Sequence, residues 1–267
     1  MSAPENALFG HSGFVGGVLK RQAHFDAQFR STDIGQSKGR RFDTVVCAAA
    51  PAQKWLANRE PENDRAAIAQ LMQHLDAIAA RRFVLVSTVD VFAAPRGVDE
   101  SSPVAEEGLH AYGLHRRQLE KFVASRFEQH LIVRLPGLVG PGLRKNVIFD
   151  FLNDNNLHAI DSRGVFQFYP MVNFWYDITL ALQANLQLLH LTAAPVSVAE
   201  VAAAGFGRTF DNTLAAAPAV YDMRTRHAGL FGGSGAYQYS ARESLQAIRA
   251  YAQSEPRTLP AAGGAAP

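Results

Sequence analysis

The chain has 267 residues, of which 48% are hydrophobic and 19% charged, with a formal net charge of +2. This size suits one α/β domain with an appended lobe or two small domains, and the composition excludes a largely disordered chain. The small net charge argues against a nucleic-acid or membrane surface as the main partner. The single cysteine, Cys47, excludes an internal disulfide and a cysteine-based metal cluster.

The sequence predicts neither a signal peptide nor a membrane span. The first six residues hold Glu5 and no apolar run, which predicts no signal peptide. No apolar stretch approaches the ~18 residues of a membrane span. Together with the lone cysteine, this predicts a cytoplasmic location. Residues 254–267 are rich in Pro, Gly and Ala and are predicted to be disordered.

The chain is organised around a glycine-rich stretch near its start, Gly10-His11-Ser12-Gly13-Phe14-Val15-Gly16, which follows the apolar segment Ala7-Leu8-Phe9. We interpret it as a strand, a tight turn and the start of a helix. Glycines there permit the sharp turn, the close approach of a ligand and close helix packing. The first-turn amides and the helix dipole would attract a phosphate. The spacing alone is a weak signal, because such a turn can be merely tight.

After this turn, strands and helices alternate. The predicted strands are 23–30, 42–50, 83–88 and 131–135, and the predicted helices are one with Ile68, Leu71, Met72, Leu75 and Ile78 as its apolar stripe and one at 112–127. Asn63 or Asp64 is the predicted N-cap of the first of these helices. The alternation predicts an α/β fold, a Rossmann-like doubly wound parallel sheet with a small C-terminal substrate lobe.

Beyond Gly140-Pro141-Gly142 the pattern is looser. It predicts helices at 147–152, 175–186, 197–204 and 242–251, strands at 166–169 and 188–191, and a loop at 221–239. We assign 1–139 with 172–194 to the dinucleotide-binding domain and 140–171 with 195–253 to the substrate lobe.

Two further features could carry chemistry. Thr88 ends a predicted strand, and Tyr112 and Arg116 are four residues apart on one helix face. A phenol titrates near ~10 in water, and a fixed cation nearby stabilises the phenolate and lowers its pKa. A threonine hydroxyl could hold a substrate oxygen against the tyrosine. The combination predicts acid/base chemistry on an alcohol or carbonyl beside a nicotinamide.

The glycine turn, the Ser87-Thr88 strand end, the Tyr-x3-Arg helix and the Arg134–Gly142 segment occur in the order typical of the extended short-chain dehydrogenase/reductases. The chain resembles their NAD-dependent epimerase/dehydratase branch, which acts mostly on nucleotide sugars. The resemblance runs from about Ala7 to Leu191. It implies NAD(P) as cofactor, a small-molecule substrate and a homodimer formed through the helices that carry Leu71 and Tyr112.

The resemblance implies the roles of Thr88, Tyr112, Gly10, Gly13 and Gly16, and the other roles below are predicted from the residues themselves. Thr88, Tyr112 and Arg116 are the expected catalytic residues. The expected cofactor contacts are Gly10, His11, Ser12, Gly13, Phe14, Val15, Gly16, Arg30, Ser31, Ala48, Ala49, Ala50 and Pro136. The expected substrate contacts are Asp90, Gln167, Tyr169 and Arg224, and no metal site is expected. Arg30 lies where a strand end meets the adenosine ribose and favours NADP, although a solvated loop arginine is an equal alternative.

The chain departs from the family pattern at several positions. Arg116 stands where the family has lysine, and the exchange is not conservative. The segment between Arg30 and Phe42 is too short for the strand that the family normally has there. Val89-Asp90 replaces the Asp-Glu pair of the sugar dehydratases, and Gly137 stands where many epimerases have asparagine.

These departures leave two functions open. One is an NAD(P)-dependent oxidoreductase of the epimerase/reductase type that acts on a secondary alcohol or ketone, for example of a nucleotide sugar. The other is an NAD(P)-binding sensor or scaffold with little or no catalysis. The simpler alternatives for the individual side chains are a strand-end hydroxyl for Thr88, a packed aromatic for Tyr112 and a solvated helix charge for Arg116.

Overall fold

The computed structural model describes residues 5–258. The chain divides into two compact units. The first runs up to Ala94 and includes Glu100–Leu135 and Phe174–His190, and the second comprises Pro95–Asp99, Pro136–Asn173 and the chain from Leu191 onward.

Within the described residues the strands are, in chain order, β1 (Asn6–Phe9), β2 (Ala27–Phe29), β3 (Arg41–Cys47), β4 (Ala79–Thr88), β5 (Arg96–Val98), β6 (His130–Leu135), β7 (Gly137–Val139), β8 (Val165–Phe166), β9 (Phe168–Pro170), β10 (Leu188–His190), β11 (Val196–Ser197) and β12 (Asp222–Met223). The α-helices are α1 (Phe14–Gln22), α2 (Lys54–Arg59), α3 (Pro61–Asp76), α4 (Ala111–Arg126), α5 (Val147–Asn153), α6 (Phe174–Gln183), α7 (Val198–Phe206) and α8 (Ala241–Ser254).

The first unit is built on a parallel six-stranded sheet in the order β10-β6-β4-β3-β1-β2. All its neighbouring strands pair in parallel, with Phe9 opposite Cys47 and Thr88 opposite Leu135. The predicted Rossmann-like fold is therefore confirmed. The strand order reverses between β1 and β3, and open α/β sheets bind ligands in the crevice at the carboxyl ends of such strands. The expected loss of one strand is also confirmed, since residues 30–40 hold only the 3-10 turn Ile34–Ser37.

One face of this sheet carries an apolar core under α3 and α4. Ile68, Leu71 and Leu75 of α3 and Leu119 of α4 are almost fully buried against the strands. Burying a side chain of this size stabilises the fold by about 1.5–3 kcal/mol. The α3 stripe predicted from helical spacing is thus a core stripe. Cys47 is also buried here, which raises the pKa of its thiol to about 12 and makes it unreactive.

Some element boundaries differ from the sequence-based prediction for local reasons. The strand predicted at 23–30 is only the three-residue β2, because Phe25 packs edge-on against Trp175 and Asp26 accepts a hydrogen bond from the backbone of Asn6. Helix α3 begins at Pro61, a residue that suits the first helical position. Asp64 is therefore inside the helix and buried, and it does not cap it.

The second unit consists of short strand pairs and helices. β5 pairs with β12, and β7 pairs with β9. Residues 95–99 and 136–139 therefore belong to this second unit, whereas the predicted boundaries placed them in the first. The strand predicted at 166–169 is divided between β8 and β9. Ser197 caps α7 as expected, and α7 and α8 each start with a reciprocal Ser–Glu capping box.

The end of the described chain is better ordered than predicted. Helix α8 continues to Ser254, and Thr258 donates its backbone N–H to Asn153 at 2.8 Å. The rest of the predicted disordered tail, residues 259–267, lies outside the described residues. Among residues 5–258 no helix combines the length and the apolar character that a membrane span requires.

Candidate active site

Two of the three glycines in the turn leave no room for a side chain. Gly10 has a φ of +88°, and a Cβ there would lie 2.4 Å from the carbonyl oxygen of Ala48. A Cβ on Gly16 would lie 2.1 Å from the carbonyl oxygen of Gly10. Gly13 has more room, with its nearest neighbour at 3.6 Å, and it is the N-cap of α1. The backbone therefore folds back on itself at the switch point between β1 and β3.

This turn has the properties of a diphosphate cradle. No side chain caps α1, so its first-turn amides receive no hydrogen bond from a capping side chain. The positive end of the helix dipole lies at the same place. Ser12 is exposed, and His11, Phe14 and Val15 are half-buried around the turn. Ala48, Ala49 and Ala50 follow β3 and are also half-buried, and such small residues leave space beside the turn. These residues fit a dinucleotide, with its pyrophosphate at the start of α1.

Arg30 and Ser31 follow the edge strand β2 and are exposed. The backbone N–H of Arg30 donates to Asp33 Oδ1 at 2.7 Å, and its Nε lies 3.4 Å from Asp33 Oδ2. Arg30 is thus held at the surface by a local ion pair, next to the segment 31–40, which contains no strand.

Thr88 and Tyr112 lie together at the carboxyl end of β4. The Thr88 hydroxyl lies beside the Tyr112 phenol and lowers its pKa. The backbone N–H of Tyr112 donates to Asn58 Oδ1 at 3.0 Å, which fixes the start of α4 against α2. A Cβ on Gly113 would lie 2.1 Å from the carbonyl oxygen of Asp90, so only glycine lets α4 approach the Thr88–Asp90 turn this closely.

Burial decides the protonation state of Tyr112. Its side chain is almost fully enclosed, and this desolvation raises the phenol pKa above its ordinary value, although the charge of Arg116 acts in the opposite direction. Asp90 adds to the increase, while Thr88 and Lys54 reduce it. The expectation that a neighbouring cation lowers this pKa is correct for the individual contribution of Arg116 and wrong for the net direction.

Arg116 is a buried structural cation. Its guanidinium donates to Asp64 and to the carbonyl oxygen of Pro51, and Nη1 lies 3.3 Å from the carbonyl oxygen of Tyr112. Its Cζ is 3.9 Å from the centroid of the Tyr112 ring. His115 Nδ1 lies 2.7 Å from the same Asp64 carboxylate. Arg116 is therefore not a solvated helix charge, which corrects that alternative.

A second buried ionic network fixes α4 to the sheet. Glu120 is fully buried and accepts two hydrogen bonds from Arg134 of β6, at 2.9 and 2.7 Å. Ser87 donates to the same carboxylate at 2.6 Å, and Arg134 Nη1 lies 3.2 Å from His190 Nε2. Because these groups come from β4, β6, β10 and α4, they hold Thr88 and Tyr112 at one edge of the sheet.

Sequence reasoning missed two residues beside the tyrosine. Lys54 Nζ donates to Asp90 Oδ1 at 2.7 Å. His110 caps α4 by accepting the Gly113 N–H on Nδ1 at 3.0 Å, and burial lowers its pKa. Lys54 comes shortly after the carboxyl end of β3, and ligands bind at the carboxyl ends of strands in open α/β sheets. This position in the sequence could have identified Lys54 as a site residue. Asp90 itself, expected to contact substrate, is held in the turn by this ion pair.

The remaining predicted contacts belong to the second unit. Gln167 is 1% exposed. Its side-chain amide forms three hydrogen bonds of 2.6–2.7 Å with the backbone of Ala193 and Met223. Tyr169 is fully buried against Tyr239. These two residues have a role in the core of their unit instead of the expected ligand contact, because their polar and apolar surfaces are already covered.

Two other predicted contacts are at less buried positions. Arg224 is half-exposed and pairs with Asp222 at 2.7 Å. Pro136 directly follows β6 and is half-buried. Within residues 5–258 no group of three His, Cys, Asp or Glu side chains is arranged to hold a metal ion.

Comparison with known proteins supports the fold through structure alone. No known protein family and no curated protein matches the sequence. A UDP-galactose 4-epimerase superposes with a TM-score of 0.69 at 18% identity, covering 93% of this chain and 97% of its own. The dTDP-4-dehydrorhamnose reductase of Yersinia enterocolitica gives 0.71 at 14% identity over 94% and 99%. That of Bacillus anthracis, in complex with NADP, gives 0.69 at 16% over 94% and 98%.

These solved structures are similar to the chain over nearly its whole length, although at most 18% of the aligned residues are identical. The six-stranded parallel sheet, its glycine turn at the switch point and the second unit therefore constitute the fold that nucleotide-sugar epimerases and reductases also have.

Proposed function

We propose that the protein is an NAD(P)-dependent oxidoreductase of the extended short-chain dehydrogenase/reductase type, which acts on a secondary alcohol or ketone of a nucleotide sugar. The observation that carries this proposal is that Thr88 and Tyr112 lie side by side at the carboxyl ends of the strands, the same side of the sheet that bears the glycine turn. Two neighbouring hydroxyls on that side suit the transfer of a proton to or from a substrate oxygen.

The glycine turn would hold the cofactor pyrophosphate through the backbone of Gly10, Gly13 and Gly16. A bound nicotinamide supplies or accepts the hydride. Tyr112 would transfer a proton to the substrate oxygen, and Thr88 would hold the same oxygen in place. An ordinary phenol, with a pKa near ~10, is already protonated at neutral pH, and burial raises the pKa of Tyr112 further. Tyr112 therefore begins as the acid, which suits reduction of a carbonyl.

The choice of cofactor is part of the proposal. Arg30, at the carboxyl end of β2, supports NADP, since a guanidinium can bind the 2′-phosphate in two hydrogen bonds. The similar reductase from Bacillus anthracis was crystallised with NADP. Fluorescence titration with NADPH and NADH tests this preference, and Arg30→Ala should remove it.

The decisive test is turnover by Tyr112→Phe. Without the phenol oxygen, the kcat on UDP- and dTDP-linked sugars or their keto forms should fall by about 10²–10⁴-fold, the usual contribution of a positioned acid or base. NADPH affinity should change little. Tyr176→Phe is the matched control, because Tyr176 is 65% exposed on α6. Full turnover by Tyr112→Phe would contradict the proposal.

A second candidate function is a cofactor-binding protein without turnover, and the burial of Arg116 favours it. The guanidinium that stands in place of the family's lysine is committed to Asp64 and to the carbonyl oxygen of Pro51. NADPH binding by the unmodified protein, with no turnover across nucleotide sugars and small ketones, would support this candidate.

The proposal includes a homodimer formed through α3 and α4 in the cytoplasm. The support for the homodimer is the family resemblance, and the support for the location is the single cysteine, which suits a reducing compartment. Light scattering of the purified protein and fractionation of its source cells test the two parts.

A further inference from the structure

A second cation lies beside Tyr112, and it comes from a different helix. Lys54 is the first residue of α2, and its Nζ lies 2.7 Å from Asp90 Oδ1. Its side chain is 37% exposed, whereas that of Arg116 is 3% exposed. The two cations therefore differ in character: Arg116 is fixed in the protein interior, and Lys54 stands at the surface of the site.

Helix α2 is pinned so that Lys54 must face this site. Asn58 Oδ1 accepts the backbone N–H of Tyr112 at 3.0 Å. Lys54 and Asn58 are four residues apart and hence lie on the same face of α2. The hydrogen bond that fixes the start of α4 thus also fixes the direction from which the lysine approaches.

A short chain of polar groups connects Lys54 to the phenol. Asp90 Oδ1 accepts the hydrogen bond from Lys54, and Asp90 Oδ2 lies 3.4 Å from Thr88 Oγ1. The backbone N–H of Asp90 also donates to Thr88 Oγ1 at 3.1 Å. The Thr88 hydroxyl in turn lies beside the Tyr112 phenol and lowers its pKa. One carboxylate and one hydroxyl therefore separate the ammonium from the phenol.

The charges along this chain oppose each other at the phenol. The carboxylate of Asp90 raises the pKa of Tyr112, and the ammonium of Lys54 lowers it. The other charged or titratable groups near the ring are Arg116, over its face, and His110, whose ring centroid is 6.4 Å away. An unpaired carboxylate next to a phenol would oppose every step in which the phenol gives up its proton.

We propose that Lys54 is a positioning residue of the active site, which neutralises Asp90 and holds its carboxylate against Thr88 so that Tyr112 can release its proton. Helix α2 thereby provides a positive charge acting on the tyrosine, the role that the sequence pattern assigned to Arg116 on α4. For turnover this inference rests on the proposed function, but the charge relation between Lys54, Asp90 and Tyr112 is measurable without any turnover.

The experiment follows the phenol itself by ¹⁹F NMR of protein labelled with 3-fluorotyrosine, with Tyr112→Phe used to assign the Tyr112 signal. Lys54→Met should raise the Tyr112 pKa by about one unit, a tenfold change in its acidity. Lys54→Arg, which keeps the charge, should restore the original value. Lys121→Met is the matched control, because it removes a lysine from an exposed ion pair with Glu106 elsewhere on α4.

The double variant Lys54→Met with Asp90→Asn isolates the charge that Lys54 neutralises. If the lysine acts through Asp90, its removal should raise the Tyr112 pKa by clearly less once that carboxylate is an amide, and Asp90→Asn alone should lower this pKa. A Tyr112 pKa unchanged by Lys54→Met would overturn the inference. So would an increase that persists undiminished in the Asp90→Asn background.

Activity provides a second, separate readout. Where the unmodified protein turns over, Lys54→Met should lower kcat about tenfold and shift the pH profile upward, with NADPH affinity within about twofold. A protein that fails to bind or turn over contradicts the proposed function and leaves the NMR result to decide on Lys54. Should Lys54→Met fail to fold, the Lys54→Arg and Asp90→Asn titrations still give the predicted values or contradict them.

Discussion

The glycine turn and the surroundings of Tyr112 lie at the same edge of one sheet, but different parts of the chain make them. The turn is a continuous stretch, Gly10–Gly16, whose shape depends on the absence of side chains. The tyrosine site, defined here as Thr88, Asp90, Tyr112 and Arg116 with Lys54, comes from three separate segments. Its geometry depends on ion pairs between buried or half-buried groups.

This difference predicts different responses to substitution. The turn should fail when an atom is added, because its backbone has no room for one. The tyrosine site should fail when a charge is removed, because the partner charge is left buried and unpaired.

The largest expected effect is on the stability of the tyrosine site. Asp64→Ala removes the carboxylate shared by Arg116 and His115, and a buried charge left without its partner costs about 3–5 kcal/mol. The free energy of unfolding, measured by urea titration, should fall by this amount.

The matched control for this prediction connects the same two helices at the surface. Asp76 Oδ1 of α3 accepts from Arg126 Nε of α4 at 2.8 Å, and the Asp76 side chain is 65% exposed. Asp76→Ala should cost only about 0–1 kcal/mol, because exposed ion pairs contribute little. Equal losses for the two variants would show that burial of the Asp64 cluster has no special importance.

The next effect is on the turn. Gly16→Ala places a Cβ 2.1 Å from the carbonyl oxygen of Gly10, so the backbone must move. We expect a loss of about 1–3 kcal/mol in stability, the usual cost of overpacking, and at least a tenfold weaker NADPH affinity by fluorescence titration.

Gly17 offers the internal control for the turn. A Cβ at this next position of α1 has no neighbour closer than 4.0 Å. Gly17→Ala should leave NADPH affinity unchanged and stabilise the protein by up to about 1 kcal/mol, since alanine is the better helix former. The steric account of the turn fails if Gly16→Ala binds NADPH as tightly as Gly17→Ala does.

The smallest effect sharpens the comparison through pH. Burial, together with Lys54, lowers the pKa of His110, whose neutral Nδ1 caps α4. The unfolded chain then binds this proton more readily than the folded one. The stabilisation is complete above the unfolded pKa of about 6.5 and declines as the pH falls through it toward the lower folded value.

Replacing His110 by asparagine keeps a good N-cap that does not titrate. The unfolding free energy of His110→Asn should therefore be flatter between pH 7 and 5, by at most about 1 kcal/mol, the contribution of a helix N-cap. His158→Asn, at an exposed position, is the control. A slope that His110→Asn leaves unaltered would remove this histidine from the account of α4.

Local sequence determined much of this protein. The alternation of apolar strands and amphipathic helices predicted the parallel sheet, and the short 30–42 segment predicted its missing strand. The spacing of Gly10, Gly13 and Gly16 predicted the turn, because turn geometry depends on neighbours in the chain and on the size of their side chains.

The tertiary structure alone decided which charges meet. Arg116 and Tyr112 were correctly expected on one helix face. The partner of Arg116, however, is Asp64 of α3, which lies 52 residues earlier in the sequence. Lys54 reaches Asp90 across 36 residues of sequence. Helical spacing identifies side chains that share a face, whereas the partner of a buried charge depends on how separate elements pack, and desolvation then sets the pKa.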